Sequence, residues 1–519
     1  MQVLLTSQPD CDTLPACATA DTCLAADAYR MDSEPPSVTE LLQLPDSCLL
    51  AVLRCCADDP RSLFSAARAH SRLHQAAVLA TSSISAVLKH QQQADSVLLY
   101  VTNHAQHVSS ISLSLIPPAD DSAYDYDTSP TISLRELPQS LHRLEALSVR
   151  GLHVQLQPAE GFVGVLHAGM PLKELQLDTC QLLDGEEGLA AALPLLPGLQ
   201  HLSMADSDVD TAQCISVPFL SSVLWELQQL TYLELAACRL QDPDSIQHMQ
   251  ALTRLQDLRL DLWSAVSVDA SMLSASPQLT SLQLHGSQDE DMCCRFEAAV
   301  LAGRTQLQYL ALVDCRIQGG TAGVTQLLSH LQHLQQLTHL AVFCSLQELA
   351  PAVAYSALTA SSKLQHLNIS DCLLPVGVWQ HVFDTTRKLP HLRYLNVGDV
   401  SHPSGPAPAP EGSRLVSCCP GLQTLWMEGL QYSTGMLAPL TGLGGLERLN
   451  LDPMGGSTEG LNEVCQLTQL KQLWLWGHSE EGLLLRLTQL HQLTKLECSK
   501  TVDGEFVYCK WVQEVSSSV

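Results

Sequence analysis

Positive charge is scarce in this 519-residue chain, where 27 lysines and arginines stand against 54 aspartates and glutamates, for a formal charge of −27. A surface of that sign repels phosphate, so neither nucleic acid nor an anionic membrane is an expected partner. Long apolar runs are missing too: no stretch reaches the 18 residues that a bilayer span requires, and no membrane insertion is expected. The opening "MQVLLTSQPDCDTLPACATADTCLAAD" has a short apolar run, no basic leader and several aspartates, which argues against secretory and transit signals. Absent as well are G-x-x-x-x-G-K-[ST], H-E-x-x-H and G-x-S-x-G, so the chain carries no signature of a cofactor and is not expected to be an enzyme. Cysteine is plentiful but not framed for disulfides. Nineteen residues, an odd number spread along a long chain, fit a reduced cytoplasmic or nuclear setting. The adjacent pairs Cys55-Cys56, Cys293-Cys294 and Cys418-Cys419 point to opposite faces of a strand, and no C-x-x-C has a matching second pair, so no metal is expected.

What the chain has in abundance is one phrase, repeated. "LHRLEALSV", "PLKELQLDTCQL", "LQQLTYLELAACRL", "RTQLQYLALVDCRI", "SSKLQHLNISDCLL", "CPGLQTLWMEGL" and "LTQLKQLWLWGH" place a marker leucine at Leu147, Leu175, Leu202, Leu233, Leu258, Leu282, Leu310, Leu340, Leu367, Leu395, Leu425, Leu449, Leu473 and Leu496. The mean spacing, about 27 residues, lies in the leucine-rich-repeat window. The phrase resembles the leucine-rich repeat, L-x-x-L-x-L-x-x-(N or C)-x-L, and the resemblance implies a short strand and the turn after it. Cys180, Cys238, Cys315 and Cys372 take the Asn/Cys position five residues past the marker, where a small buried polar group bonds turn backbone.

One repeat cannot stand alone, because ordering its backbone costs on the order of 1 to 2 kcal/mol per residue while each buried leucine contributes only about 1.5 to 3 kcal/mol. Stacked repeats bury both flanks, so stability belongs to the array. The expected fold is an α/β solenoid of about 14 to 15 repeats over residues 95–500, a horseshoe with a parallel concave sheet and convex helices. "GLAAALPLLPGL", "PFLSSVLWELQQL", "GVTQLLSHLQHLQQL" and "VGVWQHVFDTTRKL" have the composition for those helices. "HVSSISLSL" reads as a further strand near the start; "PPADDSAYDYDTSP" and "SHPSGPAPAPEG" read as exposed loops, and "EFVYCKWVQEV", within a C-terminal cap or tail at 501–519, as a capping strand.

The stretch before the array is different. Residues 1–39 read as a disordered acidic tail. In residues 40–82, Asp46 can cap a helix carrying Leu49, Val52 and Leu53, and Asp59 with Pro60 opens another carrying Leu63 and Phe64. A third would hold Leu73 and Ala76, completing a small three-helix module. "LPDSCLLAVLRCCADDPRSLF" resembles the F-box, roughly LP-x-E-L-L-x-x-I-L-x-x-L-D-P-R-D-L, with Cys48 and Cys56 departing from its leucines. The resemblance implies a substrate-receptor subunit of an SCF-type cullin-RING ubiquitin ligase, gripping the adaptor protein through Leu44, Pro45, Leu49, Val52, Leu53, Pro60 and Leu63, with chemistry done by other subunits. The alternative is a non-ligase scaffold, cytoskeletal or axonemal, whose helical start only caps the solenoid.

A client protein would meet the strand positions one before, one after and three after the marker, since the marker and the residue two later point inward. Tyrosines appear singly in those columns at Tyr232, Tyr309 and Tyr394; three of the seven tryptophans, Trp426, Trp474 and Trp476, cluster late. Aromatic residues are favoured interface anchors, so Tyr394, Trp426, Trp474 and Trp476 are the expected client contacts, with Glu428, Arg448 and Asp452 as orienting charges. The competing reading has 505–515 folded back over Trp474 and Trp476. His339 and His366 share one column beside Asn368; with histidine recurring in "LQHL" and "LTHL", that alignment reads as a by-product of the phrase rather than a ligand pair.

Overall fold

The computed structural model describes residues 3–4, 49, 82–115, 130–133, 141–155, 170–182, 191–205, 223–238, 249–262, 266–287, 289, 293–453, 459–476, 487, 490–502 and 505–512. They fall into two compact units, Met1–Asp210 and Thr211–Val519.

Both units are built on the marker leucines. In the first, strands Ser83–Leu88, Ser110–Leu115, Ala146–Arg150, Glu174–Asp178 and His201–Ala205 run parallel, with Ile84, Ile111, Leu147, Leu175 and Leu202 in one row. In the second, eleven parallel strands from Tyr232–Cys238 to Lys495–Val502 align Leu233, Leu258, Leu282, Leu310, Leu340, Leu367, Leu395, Leu425, Leu449, Leu473 and Leu496 in register. Thirteen of the fourteen markers are at most 1% exposed; Leu496, in the last parallel strand, is half-buried. Alternation puts the residue two later inside as well, as with Val149, Leu284, Val342 and Leu451.

The turn after each strand explains the rest of the phrase. The fourth residue past the marker takes a left-handed backbone at Gly151, Thr179, Asp314, Cys344, Asp371, Asp399 and Gly429. Glycine meets that demand without strain, and aspartate is among the few side chains that tolerate it. The fifth residue ties each repeat to the one before. Cys180 Sγ reaches the Val149 carbonyl at 3.2 Å, Cys315 Sγ that of Leu284 at 3.5 Å, and Cys372 Sγ that of Val342 at 2.8 Å. Ser345 fills the same place with a hydroxyl, donating to Leu312 O at 2.8 Å. Cys238 ends its strand, and its side chain lies outside the described residues.

The structure departs from expectation in four places. The parallel array begins before residue 95, at Ser83–Leu88, and the helix Gln91–His104 is the return path to the next strand. Gln91 extends that repeat by bonding both backbone groups of Thr131, at 2.9 and 2.7 Å, like a neighbouring strand. Second, Val3–Leu4, inside the stretch read as a tail, pair antiparallel with Ser83–Leu88.

Third, the convex helices are mostly short or 3₁₀: Gly320–Leu331 is a three-turn α-helix, but Leu193–Leu195, Ala298–Leu301, Ala352–Thr359, Ala438–Gly442 and Glu459–Gln466 are 3₁₀, and Trp379–Val382 is a single turn. A 3₁₀ turn rises about 2.0 Å per residue against 1.5 Å, so a short return covers the same distance with fewer residues. Fourth, the 401–412 insertion is packed rather than loose: Ser401–His402 pairs with Gly405–Pro406, His402, Ala407 and Ala409 are buried, and Gly412–Cys418 is helical.

At the far end, Glu505–Val512 pairs antiparallel along the whole of Lys495–Val502, occupying the ladder bonds of that edge. Of the module expected at 40–82, Leu49 is helical and 1% exposed. Leu44, Pro45, Val52, Leu53, Pro60 and Leu63, the acidic loop around 119–129 and residues 513–519 lie outside the described residues.

Candidate protein-binding surface

The face of the second unit's sheet opposite the marker leucines changes character along the array. Its first strands carry a closed polar network. Tyr232 donates to Glu234 at 2.8 Å, Arg259 pairs with Glu234 at 2.8 Å, and Arg259 Nε donates to Gln283 at 3.1 Å. Burial first, and then the Glu234 bond, drives the Tyr232 phenol well above its ordinary value.

Beyond Ser281–His285 the same columns turn aromatic. Tyr309, His339, His366 and Tyr394 occupy one register row on four successive strands. Their rings stack: centroids are 5.1 Å apart for Tyr309–His339, 5.6 Å for His339–His366 and 4.0 Å for His366–Tyr394, with planes 18°, 21° and 3° apart. Strands about 4.8 Å apart hold in-register rings at stacking distance without further help. The row then shifts one column, because Asn396 rather than Tyr394 is level with Trp426. Tyr394 meets Trp426 at 6.0 Å, and Trp426 meets Trp474 at 6.3 Å, both tilted by about 50°. Between the two indoles the sheet supplies Asn450, 5% exposed, whose short side chain lets them touch across it.

Six rings thus form one continuous ladder over seven strands, all of them half-buried. Of the residues expected as client contacts, Tyr394, Trp426 and Trp474 are brought together. Trp476 is half-buried past the end of its strand, its backbone N–H on Leu451 O at 2.9 Å. Arg448 is exposed on the strand between the two indoles. Glu428 and Asp452 occupy the column beyond the rings on adjacent strands, and Glu428 accepts from Asn450 at 3.1 Å. Trp474 is engaged by its neighbouring strand: it donates to Glu497 at 2.9 Å, and Lys495 Nζ lies 4.9 Å from its ring centroid. The 505–512 segment lies edge-on to the sheet, in ladder pairing with Lys495–Val502.

Tyr309, His339 and His366 are the members that reading the columns singly did not assemble. The signal was present in the shared column of the histidines, but stacking shows only when the register is known. Among the described residues no group of three His, Cys, Asp or Glu is set to hold a metal, and no helix is long and apolar enough to cross a membrane.

Burial, and then the neighbouring His339, hold His366 down at about 4, against an ordinary 6.5. A histidine that resists protonation when folded and accepts it at 6.5 when unfolded costs stability as pH falls, beginning below about 6.5 and complete near 4. Asp371 acts in the opposite sense: burial, then Asp399 and Asp314, raise it from 3.8 to about 6, so its contribution improves as pH drops through 6 toward 3.8. His366→Phe keeps a ring in the ladder and removes only the first effect. Its melting temperature is expected to fall less between pH 7 and pH 5 than the parent's; an equal fall would mean that His366 does not resist protonation in the fold.

No family model matches the sequence, and no curated protein matches it. Among solved structures, the chain is similar to an internalin from Listeria monocytogenes, at 18% identity over 74% of this chain and 93% of that one, with a TM-score of 0.49. It is also similar to a TDR receptor, at 13% identity over 80% and 67% of the two chains and a TM-score of 0.46. A plant peptide hormone receptor, RGFR1 in complex with RGF2, is similar at 16% identity over 76% and 63%, with a TM-score of 0.39. The architecture of this chain rests on its own strand register and buried leucine row.

Proposed function

We propose that the chain is a protein-interaction scaffold whose client lies on the ring ladder of the Thr211–Val519 unit. One observation carries this reading: six aromatic and imidazole rings in mutual contact on the half-open side of a sheet whose other side already holds the leucine core. A sheet needs one apolar face to fold, and the leucine row already supplies it; a second row of half-buried rings on the other side leaves apolar surface open to a partner. Rings of this kind are instead what protein interfaces use as anchors.

A photo-crosslinking residue at Tyr309 or Tyr394 is expected to capture the client from a native extract, while the same residue at Val353 or Val376, 62% and 71% exposed on the return side, is expected not to. Equal capture from both sides would reject the ladder as the client face.

Within that reading, residues 44–63 join the scaffold to the adaptor of an SCF-type ligase. What supports this is the F-box resemblance of the stretch, placed just ahead of leucine-rich repeats. Leu49 is 1% exposed, which leaves Leu44, Pro45, Val52, Leu53, Pro60 and Leu63 for the adaptor. Purified adaptor mixed with the full chain should give a complex that is lost with Leu44→Ala and Leu53→Ala. No complex with the parent chain would leave a scaffold without a ligase link.

A further inference from the structure

The client face has a chemistry of its own along one border. Asp314, Asp371, Asp399, Glu428 and Asp452 lie at the ends of the strands that carry the ladder. Among the described residues no lysine or arginine is paired with any of them, whereas Glu234, Glu447 and Glu497 of the same unit each have a basic partner within 3.0 Å. Burial lifts Asp371, Asp399, Glu428 and Asp452 above the usual carboxylate range, and their neighbours' charges add to the rise at Asp371, Glu428 and Asp452.

The turns do not require this charge. Asp371 and Asp399 have φ of 55° and 51°, a left-handed backbone that asparagine or glycine would adopt as readily, and Gly429 does so one repeat later. Glu428 and Asp452 are strand residues under no such demand. Asn450, 5% exposed beside this row, donates to Glu428, and its own Oδ1 has no donor among the described residues. Mutually repelling carboxylates and the Asn450 carbonyl, next to ring faces, form a surface whose charge and shape suit a cation. Lys495 over Trp474 shows in miniature what such a cation does here, and neither Tyr394 nor Trp426 has one among the described residues.

Resting on the ladder as the client face, we propose that its occupant is a lysine- or arginine-bearing extended segment of a partner protein, its cationic heads placed over Tyr394 and Trp426 and among Asp399, Glu428 and Asp452. A second copy of this chain is a poor occupant, since each carries a formal charge of −27. Nucleic acid is disfavoured by the same sign.

The test uses the full chain and three fluorescent twelve-residue peptides: alternating Arg-Gly, Glu-Gly and Ser-Gly. Only Arg-Gly is expected to bind. The isosteric pair Asp399→Asn/Glu428→Gln should weaken it at least tenfold, as should Trp426→Ala, with Trp426→Phe recovering part of the loss. Asp95→Asn/Glu226→Gln, which removes the same charge from exposed positions outside the strands, should change it less than twofold. Equal loss in both charge pairs would reduce the effect to general attraction and overturn the proposal. Binding of Glu-Gly or Ser-Gly in a Trp426-dependent manner would overturn the cationic occupant and leave the ladder standing as a client face. Failure of Arg-Gly to bind would overturn it too, while crosslinking from Tyr309 and Tyr394 would still report on the ladder. A dimer abolished by Trp426→Ala would assign the face to a second copy instead.

Discussion

Trp426→Ala combined with Trp474→Ala is expected to weaken client binding by about 2 kcal/mol or more, roughly thirtyfold, without unfolding the chain. Both indoles are half-buried and lie above a leucine row, Leu425 and Leu473, that stays fully buried when they are cut back. What the double change removes is the contiguous end of the ladder, where Trp426 touches Tyr394 at 6.0 Å and Trp474 at 6.3 Å. Large aromatic anchors near the centre of an interface dominate its energy, and loss of one exposes its neighbours to water. Trp225→Ala, at a site 52% exposed and outside the ladder, is the matched control and should alter affinity by less than about 0.5 kcal/mol. Calorimetric titration with the crosslinked client, once identified, measures both; similar losses from Trp225 and from the pair would remove the ladder from the binding site.

Arg304→Ala should lower folding stability by about 3 kcal/mol. Arg304 is 6% exposed, and its guanidinium donates to three carbonyls, Val300 at 2.5 Å, Ser276 at 2.6 Å and Leu273 at 2.5 Å. It thereby ties the 3₁₀ turn Ala298–Leu301 to the turn at 271–276 of the preceding repeat. Burial lowers its pKa, yet the carbonyls keep a charge in the interior tolerable without a carboxylate partner. Alanine leaves all three acceptors unpaired and removes the alkyl stem that fills the space between repeats. Lysine, which cannot present three donors as a planar fork, should recover only part of the loss. Urea unfolding gives the comparison, read as a shifted midpoint with an unchanged slope. A shift under about 1 kcal/mol would mean that water replaces the guanidinium.

Much of the fold was legible in the sequence because a solenoid is nearly one-dimensional: each repeat answers only to its neighbours, and the same local rule is written many times. Leu147 to Leu496 marked the strand register residue by residue, and the cysteines five positions on marked the turn bond seen at Cys180, Cys315 and Cys372. The return paths were less legible. "GVTQLLSHLQHLQQL" contains enough residues for an α-helix, but most returns are too short, and composition alone does not separate α from 3₁₀. Ser345 escaped notice because a hydroxyl does the work of the thiol under a different letter. Ser83–Leu88, rich in serine and alanine, lacks the marker leucine and shows its place only through pairing with Ser110–Leu115.

The candidate site divides along the same line. Sequence alone determined which residues leave the core, since alternation with a period of two sends the flanks of each marker to the opposite face, and this was enough to select Tyr394, Trp426 and Trp474. Whether those rings touch was decided only in three dimensions. A ring-to-ring path from Tyr309 to Trp474, residues 165 apart in the chain, depends on every intervening strand keeping register, on the one-column shift at Asn396, and on an asparagine small enough at 450 for two indoles to meet above it. The grouping of Asp371, Asp399, Glu428 and Asp452 is likewise a product of stacking, because charges about 27 residues apart in the chain repel one another only when neighbouring strands hold them side by side.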